Sequence, residues 1–133
     1  LQWITASYSN DPEKEIKKII EIKDYINSDT SKKIIISDYQ FFSAISINKI
    51  NTLIKWNKWY DSASSPARKN KYFINYQKFF IKKIKKNKIK KIYGIGADNK
   101  FVYFKDLIKN NNCINSKQIN DIFVVYDITN CEL

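Results

Sequence analysis

Three consecutive isoleucines, Ile34-Ile35-Ile36, lie between Lys33 and Ser37, just after the turn-forming run Asn27-Ser28-Asp29-Thr30-Ser31. So short a β-branched run reads as a strand buried on both faces. Two further segments read the same way: Lys91 to Ile95 (KIYGI) and Ile122 to Ile128 (IFVVYDI). Helical patterns separate them. Asp11-Pro12-Glu13 is a helix start, because Asp caps, Pro suits the first turn and Glu faces the positive end of the dipole. Ile16, Ile19, Ile20 and Ile26 then recur at helical spacing, which predicts a helix over 12–27. Phe73, Tyr76, Phe80 and Ile84 predict a second long helix over 70–87. Strands interleaved with amphipathic helices argue for βαβ units. The expected fold is a small Rossmann-like α/β/α domain. It would carry a mainly parallel sheet of three to four strands and helices on both faces.

The rest of the chain fills in around this frame. Residues 2–8 read as a short strand or the lead-in from a preceding element. Residues 39–47 (YQFFSAISI) suit a short helix packed on the sheet. Residues 51–60 (NTLIKWNKWY) are ambiguous between strand and loop. Residues 61–70 (DSASSPARKN) form a polar loop, the best place in the chain for mobility. Residues 96–100 read as a turn and 101–110 (FVYFKDLIKN) as a third helix.

A length of 133 residues, 44% hydrophobic and 28% charged, fits one globular domain able to bury its own core. The chain contains no methionine and opens Leu1-Gln2-Trp3, so it is expected to be a fragment of a longer protein. No internal stretch approaches the ~18 apolar residues of a membrane span, which predicts that this piece itself is soluble. The net charge is +11. Clustered lysines attract phosphates, but phosphate and guanine readers draw on arginine's planar fork, and Arg68 is the only arginine. Abundant Lys, Ile and Asn instead match an AT-rich coding bias, so nucleic acid is the disfavoured partner. The densest basic run, Lys82 to Lys91, is interrupted by Ile81, Ile84, Ile89 and Ile92. It reads as a solvated helix face running into a strand, one still able to touch anionic lipid headgroups at roughly 1 kcal/mol per basic residue.

Several chemistries are excluded. There is no histidine, so Ser-His-Asp and Cys-His systems are impossible. Two cysteines without a CxxC pattern do not make a zinc site. No Walker-type loop occurs. We therefore assign no catalytic residue, no metal site and no cofactor. Ligands of an open parallel sheet bind beyond the carboxyl ends of its strands. Those ends are Asp38 with Tyr39, then Gly94 to Asp98 including Gly96, then Asp127 with Thr129. Asp38 suits a metal, a proton or a ribose hydroxyl, and equally a helix cap. Gly94-Ile95-Gly96 is half of a dinucleotide fingerprint, or simply a strand terminus that needs room. Trp56, Trp59, Tyr60 and Asp61 combine indole rings with an acid, a device for stacking on sugars or anchoring at a membrane interface; the plainer reading is a satellite core under a long loop. Cys113 and Cys131 are either a disulfide or two buried thiols, and their polar flanks favour the disulfide. A disulfide would add roughly 3 kcal/mol and place the domain outside the cytosol.

Residues 38–41 (DYQF), 58–61 (KWYD) with Pro66, 72–87 (YFINYQKFFIKKIKKN) and 88–96 (KIKKIYGIG) carry a family likeness. Together with Cys113, Asn120-Asp121 and Cys131, they resemble the C-terminal extracytoplasmic region of polytopic bacterial membrane glycosyltransferases that use lipid-linked sugars. The resemblance spans residues 33–131 and its motifs are structural. It implies a non-catalytic accessory domain on the periplasmic side of the inner membrane, tethered by membrane segments of the same chain. Its implied partners are that membrane part, glycan or acceptor, and anionic headgroups. The acids that serve catalysis in such proteins lie near their first membrane helices, so none maps onto this chain. A Rossmann-like nucleotide-binding domain or small enzyme using Asp38 and Gly94 to Gly96 is the competing expectation, and a basic nucleic-acid-binding domain the third.

Overall fold

The computed structural model describes residues 11–37, 39, 41–48, 50–51, 66, 68–96 and 104–133. Helix α1 spans Pro12–Ser28. The Asp11 carboxylate accepts from the Lys14 N–H at 3.0 Å, and Glu13 and Glu15 occupy the first turn. Strand β1 is Lys33–Ser37, α2 is the single turn Phe42–Ile45, and α3 is Phe73–Asn87. Strands β2 (Lys91–Ile95), β3 (Asn115–Asn120) and β4 (Phe123–Asp127) follow, with a 3-10 turn at Asn111–Cys113 before β3.

The four strands form one open sheet in the order β1-β2-β4-β3. β1 and β2 run parallel, with Ile35 opposite Tyr93; β4 is antiparallel to both of its neighbours. The sheet is therefore mixed and mostly antiparallel, not mainly parallel as the helix–strand alternation suggested. The reason is local. Among the described residues only the β1–β2 connection contains a helix long enough for a crossover. β3 and β4 are separated by Asp121 and Ile122 alone, and a two-residue link permits only a hairpin. β3 itself was not anticipated, because NSKQIN has neither β-branched enrichment nor alternation. The helix expected over 101–110 is also replaced. Residues 104–107 form a 3-10 turn, 108–110 are not helical, and 101–103 lie outside the described residues.

Side-chain alternation along the strands splits the core in two. On one face Ile34, Ile36, Ile92 and Tyr126 pack with Phe73, Phe80 and Ile84 of α3, and with Phe104 and Leu107. On the other, Tyr93, Ile95, Phe123 and Val125 pack with Ile22 and Ile26 of α1 and Phe42 of α2. Tyr93 lies edge-on to Phe123 at 5.2 Å and to Tyr25 at 6.0 Å.

Helix α3 ends on Lys88 in the left-handed region, with φ at 52°. Its N–H and that of Ile89 donate back to Lys85 and Ile84 carbonyls at 3.1 and 3.0 Å. A side chain with a Cβ costs about 1 kcal/mol in this conformation, whereas glycine tolerates it. Lys88→Gly is therefore expected to raise stability by roughly 0.5–1 kcal/mol, read as a higher urea midpoint with an unchanged slope. A fall in the midpoint would show that the Lys88 stem contributes packing that outweighs the strain.

Candidate functional site

The carboxyl ends of the parallel pair β1–β2 bring Tyr39 and Gly96 to one edge of the sheet. The Tyr39 N–H donates to Ser37 Oγ at 2.8 Å, which turns the chain out of β1. Its phenol donates to Glu15 Oε1 at 2.8 Å, tying this edge to α1, and its ring lies against Phe41 and Phe42. Glu15 is fully buried. Gly94 sits inside β2 between Ile36 and Val124 and is buried. The Gly96 N–H donates to the Ile122 carbonyl at 2.8 Å. Neither glycine has a positive φ. Gly94 and Ile95 thus belong to the sheet and Gly96 to its margin, which is how a strand terminus behaves.

Because β4 runs opposite to β2, Asp127 and Thr129 do not join this edge. Asp127 pairs in register with Lys91 at the far end of the sheet and accepts from the Thr129 N–H at 2.8 Å. The hydrogen bonds from Thr129 hold its carboxyl below the usual carboxylate range. Asp38, Trp56, Trp59, Tyr60, Asp61 and Asp98 lie outside the described residues. Of the candidate residues at the strand ends, Tyr39, Gly94, Gly96, Asp127 and Thr129 lie within the described residues, and the first three share one end of the sheet.

Cys113 and Cys131 form a disulfide, with Cα atoms 5.1 Å apart. It joins the residue before the β3 lead-in to the residue four beyond β4. Since Asn115 opposes Asp127, the link closes the open end of the β3–β4 hairpin, opposite its turn.

Two features take shape only with the fold. The first is a charged cluster at the amino ends of β1 and β2. The Asp29 carboxylate accepts from Lys91 Nζ at 2.9 Å, from the Ser31 N–H at 2.8 Å and from the Tyr93 hydroxyl. Lys33, only 1% exposed, donates its ammonium to the Ile26 carbonyl at 2.9 Å and to the Asp29 carbonyl. A cation thus satisfies the last carbonyls of α1, where the helix dipole is negative. Burial pushes the Lys33 ammonium down from its usual value, with Asp29 opposing that shift and Lys91 adding to it. Burial, then the bond to Asp29, pushes the Tyr93 phenol up. Burial alone would raise the Asp29 carboxyl, but bonds from Tyr93, Ser31 and Lys91 outweigh it and hold the carboxyl far below the ordinary range. These groups satisfy one another, so the cluster is architectural.

The second feature is a groove of about 790 Å³ between α3, Leu107 and the chain's last residues. Its α3 side is built by Ile74, Lys78, Ile81, Lys82 and Lys85, which share one helix face by their spacing. Gln77 pins the helix to the facing segment by donating to the Leu107 carbonyl at 3.0 Å. Arg68, the single arginine, is held in an ion pair with Asp106 at 2.7 Å. The basic character of the groove is therefore lysine alone.

Among the described residues no three Cys, Asp or Glu side chains gather closely enough to hold a metal ion, and no helix is long and apolar enough to cross a membrane. No protein-family model, no curated protein and no solved structure matches the chain.

Proposed function

We propose that this chain is a non-catalytic, extracytoplasmic accessory domain of a membrane glycosyltransferase, contacting glycan, acceptor or lipid headgroups. The observation that supports it best is the Cys113–Cys131 disulfide, because such bonds persist in oxidising compartments and are rare in the cytosol. The family likeness of residues 33–131 points the same way. Several donors and acceptors of the described residues are spent on the fold, although Glu15 Oε2, Ser31 Oγ and Ser46 Oγ are buried without a hydrogen-bond partner there. Asp29, Lys33, Lys91 and Tyr93 bond one another, and Tyr39 bonds Glu15. In this reading the domain binds, while the chemistry happens elsewhere in the parent chain.

Acid trapping of cells that make the full-length parent, followed by maleimide–polyethylene glycol labelling under denaturing conditions, tests the compartment. Cys113 and Cys131 are expected to label only after reduction. Labelling without reductant would place both thiols in a reducing compartment and end the reading. Glycan titration followed by NMR tests the binding role, with the indole signals of Trp56 and Trp59 expected to move. Indole signals that stay fixed for every lipid-linked-type oligosaccharide tried would remove glycan from the proposal.

A further inference from the structure

The α3 groove sets a basic rim around an apolar floor in which Leu107 belongs to the core, Ile81 and Leu133 pack against that core, and Ile74 lies outside it. Its floor is apolar: Ile74, Ile81, Leu107 and Leu133. Ile74 is 56% exposed, a large aliphatic side chain left open to water on a helix whose opposite face already has its core partners. Around this floor stand Lys78, Lys82, Lys85, Lys86 and Lys109, all exposed. Among the described residues Glu132 is the only acidic side chain lining the groove. Among the described residues none of the five lysines forms an ion pair. Elsewhere on the molecule lysines do find carboxylates: Lys18 with Asp121 at 3.2 Å, Lys91 with Asp29 at 2.9 Å. Five like charges gathered on one rim repel one another, and the repulsion is relieved by an anion.

We propose that this groove is a binding site for an anionic membrane phospholipid, with acyl carbon on the Ile74–Ile81–Leu107–Leu133 floor and phosphate among the lysines. The volume lies within the roughly 300–1,000 Å³ of pockets that enclose small ligands, so it takes the upper part of one lipid and not a whole bilayer patch. Lysine stems lie along apolar surface while their ammonium heads reach outward, which suits a ligand that is apolar at one end and charged at the other. A nucleic acid would satisfy the lysines but not the aliphatic floor, which offers no aromatic ring on which a base could stack. The inference deepens the accessory-domain reading by naming a ligand and a site for it. It does not depend on the disulfide or on glycan contact.

Cosedimentation of the intact 133-residue chain with liposomes decides it. Phosphatidylglycerol vesicles are expected to retain the chain and phosphatidylcholine vesicles to release it. Lys82→Glu/Lys85→Glu should weaken retention by roughly tenfold or more, since each basic residue near an anionic surface contributes roughly 1 kcal/mol. A control pair outside the groove, Lys17→Glu/Lys117→Glu, carries the same net charge and should lose less than about a third of that effect on the same electrostatic argument. Ile74→Ser removes floor without removing charge and should also weaken retention. Because Ile74, Lys82 and Lys85 are exposed, circular dichroism is expected to be unchanged in all variants.

Equal losses in the groove and control pairs would overturn the proposal in favour of diffuse attraction to a basic protein. No loss in Ile74→Ser, or resonances of the groove lysines moving equally with inorganic phosphate, would remove the lipid chain from it. Sedimentation showing two copies closing the groove on each other would overturn it as well. Absence of lipid binding together with thiols protected in cells would reject this site while leaving the accessory domain in place; lipid binding with thiols exposed in cells would do the reverse.

Discussion

Asp29→Ala is expected to lower the unfolding free energy by about 3 kcal/mol, close to what is lost when one partner of a well-bonded, largely buried charge pair is deleted. The carboxylate is the common acceptor for Lys91, Ser31 and the Tyr93 hydroxyl, and its side chain is only 12% exposed. Its removal leaves the Tyr93 phenol without that acceptor in a fully buried site and Lys33 beside Lys91 without the neutralising charge. Urea denaturation gives the measurement, as a lower midpoint at constant slope. The effect must also depend on pH in one direction. The folded carboxyl is held below its ordinary value of about 4. The stability it confers is therefore complete above that value and drains away as pH falls toward the folded-state titration. Wild type and Asp29→Ala should differ fully at pH 7, and the gap should narrow progressively as pH falls below about 4. Asp127, also held low, contributes with the same sign but is present in both proteins and cancels from the difference. A gap that stays constant down to pH 2 would mean that Asp29 acts through packing and not through its charge.

Reduction of the Cys113–Cys131 bond, or the double replacement Cys113→Ser/Cys131→Ser, should cost about 3 kcal/mol, the loop-closure value for a separation of 18 residues. For a domain whose whole stability is on the order of 5–15 kcal/mol, that is a large share. The loss should be uneven across the molecule. Among the described residues β3 has a single partner strand, β4, and the disulfide holds the end of that pair remote from the turn. Amide hydrogen exchange in the reduced protein is thus expected to accelerate first over Asn115–Asn120, before β1 and β2 respond. Uniform acceleration across all four strands would show instead that the bond acts only on the unfolded chain.

What the sequence made legible follows from how local each signal is. Asp11 and Pro12 marked the start of α1, and three isoleucines marked β1; the predicted helix over 12–27 and the strands 33–37 and 91–95 match the observed elements closely. The phenylalanine face of α3 was also readable, although the helix begins at Phe73 and not at residue 70. Strand direction was not readable, because a pattern of helices and strands does not say which strand turns back. β3 was invisible for a physical reason: as an edge strand with an exposed surface, it needs no apolar periodicity to stay in place. The Asp29 cluster joins residues from α1's end, β1 and β2 that only the parallel register brings together. In sequence Asp29 is one polar residue in a turn, and Lys33 is only the residue that precedes three isoleucines. The groove was half legible. The lysine and isoleucine spacing predicted a helix face over solvent, but Leu107 and Leu133 reach it only through the fold.

The polar edge formed by β3 has a further consequence. A strand with free amides along one side is a template on which a neighbouring molecule can extend the sheet. Among the described residues β3 (NSKQIN) is such an edge strand, with Lys117 in its middle and a register shift between Gln118 and Asn120. A second molecule adding in register would set one Lys117 beside another and would meet a kinked backbone two residues later. Fibre growth from this end is thereby discouraged at the level of a single strand, even though the interior of the same sheet is built from the isoleucine-, valine- and tyrosine-rich segments that most readily assemble when exposed.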